Sequence, residues 1–172
     1  MSRGFVKEDD QEEAPFIPPR AALPAGATNY VTPKGFLQLT EEREAIEKKL
    51  SKLDIENEKE KRHVRATLTG SLNLLNERIA SARILKPEEQ PQEEVRFGAI
   101  VQFEFLKGSQ QGKRQSFQLV GVDEANIKEN KIAFVAPLAI ALTGEKEGNI
   151  IKVQMGGNIQ ELEIKNIKYH LT

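Results

Sequence analysis

The sequence predicts an α+β protein in two parts: an antiparallel coiled-coil hairpin of two helices, then an antiparallel-sheet domain with one short helix. Three observations carry that prediction. Thr32 to Lys86 is densely charged and spaces its apolar residues by alternating threes and fours, the period of a helix seam. Val95 to the end alternates apolar and polar residues between glycines, the period of strands joined by turns. Between them, Lys86-Pro87-Glu88-Glu89-Gln90-Pro91-Gln92-Glu93-Glu94 encloses an acidic run between prolines, a composition that suits a linker. The expected organisation is a tail over 1–29, a hairpin over 30–86, a linker over 87–94 and a sheet domain over 95–172.

The tail is first acidic, Glu8-Asp9-Asp10-Gln11-Glu12-Glu13, and then proline-rich, with Pro15, Pro18, Pro19 and Pro24. Its apolar surface is too small to offset the entropy of ordering it, so it reads as a disordered, solubilising segment. Phe5, Phe16 and Ile17 are the residues that a short docking motif within it would use.

The first helix starts at Thr32-Pro33, since threonine caps a helix and proline at the first helical position gives up an N–H that has no intrahelical partner. Leu39, Ile46, Leu50 and Leu53 form its seam, with Arg43 as one polar position. Leu68, Leu72, Leu75, Ile79 and Ala82 form a second seam. The two are out of phase: continuing the first past Leu53 reaches Asn57, Glu60, Val64, Thr67 and Ser71, which is no seam. One long straight helix is therefore disfavoured, and the chain should fold back between Asp54 and Arg62, where Asp54 and Asn57 are the best turn formers. Arms of roughly 22 residues would each be about 33 Å long.

In the second part, Val101, Phe103 and Phe105 alternate with polar residues, and 107–112 turns the chain toward Phe117 and Leu119. A turn at 123–126 leads to Ile132 and Phe134; Pro137 opens a helix through Leu142 that Gly144 ends. Ile151, Val153 and Met155 run into Gly156-Gly157, followed by Ile159, Leu162, Ile164, Ile167 and Tyr169. A Gly-Gly pair between alternating runs signals a hairpin.

Composition excludes several functions. Charged residues make up 30% at a net charge of −1, so no global field draws the chain to nucleic acid or an anionic membrane. Cysteine is absent, which removes disulfides, thiolate chemistry and the usual structural zinc sets. No run approaches the roughly 20 apolar residues of a membrane span, and no apolar signal-peptide core opens the chain; a cytoplasmic address is expected. His63 and His170 are isolated, and no phosphate-binding glycine loop is present. Lys59, Lys61, Arg62 and Arg65 form a basic cluster, read either as a solvated helix face or as a surface that tracks phosphates.

Several segments together resemble the Gre transcript-cleavage factors of bacterial RNA polymerase. These are Tyr30-Val31-Thr32-Pro33-Lys34-Gly35, Gly70-Ser71-Leu72 with Arg78 to Ile84, Phe97-Gly98-Ala99, Leu119 to Ala125, Ala136-Pro137-Leu138-Ala139 and Gly156-Gly157. The resemblance implies an FKBP-like second domain that docks at the rim of the polymerase secondary channel, and a coiled coil that enters the channel. It implies Asp54, Glu56 and Glu58 as tip acids near the polymerase active-site metal, and Val135, Ala136, Pro137 and Leu138 as the polymerase-docking segment. The factor would be a monomer with no cofactor of its own, sharing at most the Mg of the polymerase, and would meet DNA and RNA only through the elongation complex, with no membrane contact.

The family's active tip has two residues between its acids, whereas Asp54-Ile55-Glu56 has one; the arms are also shorter than those of cleavage-competent members. The expected function is thus regulation of elongation, with the polymerase supplying any RNA cleavage, and the alternative is a cleavage factor proper. Two further readings come from other classes: an FKBP-like prolyl isomerase or chaperone, and a plain oligomerisation module. The isomerase reading needs an aromatic pocket, but Phe97, Phe103, Phe105, Phe117, Phe134 and Tyr169 are mostly needed for the sheet's core.

Overall fold

The computed structural model describes residues 13–170; Phe5 and the acids before Glu13 lie outside them. Strand β1 (Asn29–Val31) leads into helix α1 (Pro33–Ser51), capped by Thr32, whose Oγ1 accepts from Gly35 N–H at 2.9 Å. After a short connection over 52–57 comes helix α2 (Glu58–Ala80), capped by Asn57, whose side chain accepts from Glu60 N–H at 3.0 Å. The break in phase between the seams thus marks a real chain reversal, and Asn57 is one of its turn formers.

The helices run antiparallel. Leu39 near the start of α1 is buried with Leu75 near the end of α2, and Phe36, Ile46 and Ile79 pack around them. At the other end Leu53 and Ile55 share a cleft with Val64 and Leu68. The arms are 19 and 23 residues long, about 28 and 34 Å. Ala82, the last residue of the expected seam, packs against the same cluster from beyond the helix. Ser81 caps α2, and Ala82 opens strand β2 (Ala82–Ile84), which pairs in parallel with β1, Asn29 opposite Ala82.

The second part is a five-stranded sheet in the order β5-β4-β3-β7-β6, built from β3 (Ala99–Phe105), β4 (Arg114–Val120), β5 (Lys131–Ala133), β6 (Ile150–Met155) and β7 (Asn158–Tyr169). The expectation of a wholly antiparallel sheet needs correcting, because β4 and β5 pair in parallel. A parallel neighbour requires a connection that returns the chain to its starting end, and 121–130 does so through a turn closed by Asn130, whose φ is 55°. Gly156 and Gly157 both take positive φ, 58° and 83°, between the paired Met155 and Asn158, the two-residue turn that favours glycine.

Helix α3 (Pro137–Leu142) covers the sheet, with Leu138, Ala139 and Leu142 buried among Val101, Phe103, Phe105, Leu119, Leu162 and Ile164. On β7 the register slips between Gln102↔Asn166 and Phe103↔Ile164. The extra residue is a β-bulge, and it moves the buried set from Leu162 and Ile164 to Ile167. Of the expected linker, Pro87 is buried against Gly98, and Val95, the first residue after it, is fully buried. Tyr169 fastens the end of that stretch to β7: its hydroxyl donates to Glu94 C=O at 2.6 Å and accepts from Arg96 N–H at 2.9 Å.

Candidate functional site

The distal end of the hairpin alternates along Leu53-Asp54-Ile55-Glu56. Leu53 and Ile55 are half-buried and turn toward Val64 and Leu68, while Asp54 and Glu56 are exposed. Asp54 also lines that cleft, and Glu56 lies on the bend just before Asn57. Glu58 begins α2, exposed and 3.9 Å from Lys61, where a carboxylate suits the positive end of the helix dipole.

Exposed carboxylates are ligands for hard divalent cations. Among the described residues, however, no three acidic or histidine side chains converge as a metal cluster. Lys48, Lys49 and Lys52 of the α1 side stand around the same cleft and were not among the sequence candidates. Their signal was the Lys48/Lys52 spacing, which stacks two cations on one helix face.

The predicted docking segment divides by exposure. Ala136 precedes α3 and is half-buried, as is Val135; Pro137 is exposed at the first helical position; Leu138 belongs to the core. Ile140, within α3, is 63% exposed. The surface that this segment offers thus centres on Pro137 and Ile140.

The two parts meet at a polar joint that the sequence search missed. Thr32 Oγ1, already accepting from Gly35 N–H, donates to Glu124 Oε2 at 2.5 Å, and Glu124 Oε1 accepts from Lys131 Nζ at 3.2 Å. Burial draws the Lys131 ammonium down, but its bonds to Glu124 and its attraction to Glu129 more than restore it, so its pKa sits above the ordinary lysine value. Beside it, Asp123 stands 2.8 Å from Arg20 and 3.2 Å from Arg78. Arg20 also forks onto Glu42 at 2.9 and 3.0 Å; that bond, opposed by burial and reinforced by Asp123, holds its pKa up.

An apolar contact backs the polar one, with the Tyr30 ring 6.0 Å from Phe97 and 5.7 Å from Phe134, centroid to centroid. Close approach is possible because Gly121 has no side chain: a Cβ there would lie 2.7 Å from Tyr30 C=O. The only trace of this joint in the sequence is the pair Asp123-Glu124 directly after an apolar strand, which otherwise reads as an ordinary turn.

Residues 90–169 match the family model described as Transcription elongation factor, GreA/GreB, C-term. The chain is 35% identical to the transcription elongation factor GreA of Methylococcus capsulatus, over 59% of this chain and 63% of that one. It is 32% identical to the GreA of Alkalilimnicola ehrlichii, over 63% of this chain and 67% of that one. The match thus spans slightly under two thirds of the first relative and about two thirds of the second. A solved GreA/GreB factor from Nitrosomonas europaea superposes with a TM-score of 0.40 at 21% identity, covering 83% of this chain and 99% of that one. On these sequence matches, the chain belongs to the GreA/GreB family of transcription elongation factors.

Proposed function

We propose that the protein regulates transcription elongation by binding RNA polymerase through its FKBP-like sheet domain and placing the coiled-coil hairpin in the secondary channel. The observation that carries this reading is the pair of exposed acids, Asp54 and Glu56, at the far end of a helical hairpin braced against the domain that matches the family model. The sheet domain would supply the hold, with Pro137 and Ile140 as the exposed apolar contact and Val135 and Ala136 beside them. Leu138 would act from beneath, by fixing α3.

At the tip, Asp54 and Glu56 would face the polymerase's own metal, with Glu58 behind them. A divalent ion there polarises phosphoryl oxygens and lowers the pKa of bound water. The chain's contribution is positional: Asn57 fixes the start of α2, Leu53 and Ile55 hold Asp54 between them, and Glu56 lies between Ile55 and the cap. It acts as a monomer and holds no cofactor of its own.

The test is RNA cleavage by a stalled, backtracked elongation complex at saturating protein, comparing wild type with Asp54→Ala/Glu56→Ala, alongside competition with a cleavage-competent Gre factor. Competition without cleavage supports a channel-binding regulator. Cleavage by wild type alone makes the acids metal ligands. Absence of both cleavage and competition refutes the proposal.

A further inference from the structure

Residues 13–28 have no helix or strand and precede Tyr30, where the segments that resemble the Gre factors begin. Their course is nevertheless fixed against α2 at two points. Ile17 seats over Gly70, where a Cβ would come within 2.7 Å of Ile17 Cγ1 and nearer still to Cδ1. Glycine weakens a helix interior, but here it opens the slot that Ile17 fills. Farther along, Ala21 C=O accepts from Arg78 Nη2 at 2.6 Å. The spans agree: from Ile17 to Ala21 a polyproline-like chain covers about 12 Å, and α2 rises about 12 Å from Gly70 to Arg78. Pro18 and Pro19 lie between the two anchors and restrict the backbone there. Arg20 is thus delivered to one place.

Its guanidinium uses two edges. Nε donates to Asp123 Oδ1 at 3.0 Å, while Nη1 and Nη2 donate to the two Glu42 oxygens at 2.9 and 3.0 Å. A planar guanidinium can hold two carboxylates in set directions, which the point charge of a lysine cannot. The two acids belong to different parts of the molecule: Glu42 lies on α1, and Asp123 on the turn that leads to β5. The side chains of Arg20 and Asp123 are only 17% and 8% exposed, so solvent screens this end of the bridge little.

Glu42 stands about 14 Å along α1 from Pro33. At the base of the same helix, Thr32 bonds to Glu124, the neighbour of Asp123. One turn of the sheet domain therefore holds α1 at two heights, directly at the base and through Arg20 farther up. A rod held at one height can tilt about that point, whereas a second height opposes the tilt. We infer that Arg20 is a positioning residue: the Glu42–Arg20–Asp123 bridge braces α1 against the sheet domain and sets the direction of the hairpin, and with it that of Asp54 and Glu56. The brace does not depend on polymerase binding; only what the acids then meet rests on the function proposed above.

The chain has no cysteine, so spin labels can be placed on the full chain at Ser51→Cys, near the distal end of α1, and at Lys152→Cys on β6, both exposed. Their distance distribution is read by double electron–electron resonance. Ser51 stands about 27 Å along α1 from Pro33, so a tilt of about 10° moves it by about 5 Å. Arg20→Ala should shift or broaden the distribution by at least about 5 Å with unchanged helical circular dichroism, since Asp123 keeps Arg78 at 3.2 Å and is not left as a lone buried charge. Glu42→Ala cuts the other end of the bridge at a residue whose side chain is 45% exposed, and should have the same effect without touching the base. Because the two ends act in series, Arg20→Ala/Glu42→Ala should move the distribution no farther than either single variant. Unchanged distances in the folded single variants would overturn the brace. A lowered Tm with an unchanged distribution would make Arg20 a stabilising contact only, and effects that add in the double variant would mean two separate contacts rather than one bridge.

Discussion

Replacing Thr32 by alanine removes two interactions that share one oxygen. The first is the helix cap to Gly35 N–H at 2.9 Å, and losing such a cap costs about 1 kcal/mol. The second is the 2.5 Å bond donated to the buried Glu124 carboxylate, and hydrogen bonds to charged groups contribute about 1.5–3 kcal/mol. The sum is about 3 kcal/mol, which for a chain of this size is about 6–12 °C in Tm. Thr32→Ser keeps both bonds and should fall close to wild type.

The informative assay is a double-mutant cycle of Thr32→Ala with Glu124→Gln, followed by urea denaturation. Because the two side chains are in direct contact, the double variant should lose less than the two single losses added together, by about 1–2 kcal/mol. Strict additivity would mean that the bond between helix cap and sheet domain contributes nothing. A Thr32→Ala variant within about 0.5 kcal/mol of wild type would sink the argument altogether.

Two further outcomes follow from the same joint and its neighbourhood. Gly121→Ala places a methyl 2.7 Å from Tyr30 C=O, so β1 must retreat; the expected loss is about 1–3 kcal/mol, read by urea denaturation, with faster amide exchange at Leu85, whose N–H donates to Val31 C=O. Tyr169 is the alkaline sensor: chiefly burial, with Glu94 nearby, raises its pKa above 10.0, and the Arg96 N–H opposes this. A raised folded pKa means that its contribution to stability is fully present below the unfolded value and is lost as pH rises through the folded one. A phenolate absorbance titration should show one tyrosine ionising above pH 10.0 together with unfolding, and that step should vanish in Tyr169→Phe.

The fold was legible where pattern and packing agree. The phase break between the Leu39 and Leu75 seams located the hairpin because an apolar stripe can face only one way on a straight helix. The Gly156-Gly157 turn was legible because few other residues accept two successive positive φ values. The bulge on β7 was not legible, because Ile159, Leu162, Ile164 and Ile167 contain two three-residue steps and only the one after Ile164 is a bulge. The parallel β5 was not legible: a strand as short as Lys131–Ala133 carries no signal of its direction. Nor was β1 with β2, whose pairing depends on where two helices return the chain. Of the candidate site, the exposed acids were visible as local composition. The partners of Thr32, Asp123 and Arg20 were not, since a side chain's long-range partner leaves no local pattern.

The density of the joint has a mechanical reading. A rod of about 34 Å that tilts by 10° at its base moves its end by about 6 Å, more than twice a carboxylate–metal contact of about 2.3–2.6 Å. Whatever Asp54 and Glu56 meet, their placement therefore depends on residues at the opposite end of the hairpin. The base is held by unlike interactions at once: Glu124 takes the first turn of α1 through Thr32, Asp123 pairs with Arg78 near the end of α2, and Tyr30 packs between Phe97 and Phe134. One contact would leave a hinge axis, whereas contacts at both helix ends and on the intervening strand oppose rotation about every axis. Adjacent acids on one turn, each taking a different helix, are thus an economical way to fix the direction of a long arm. Substitutions there should redirect the hairpin before they unfold either part.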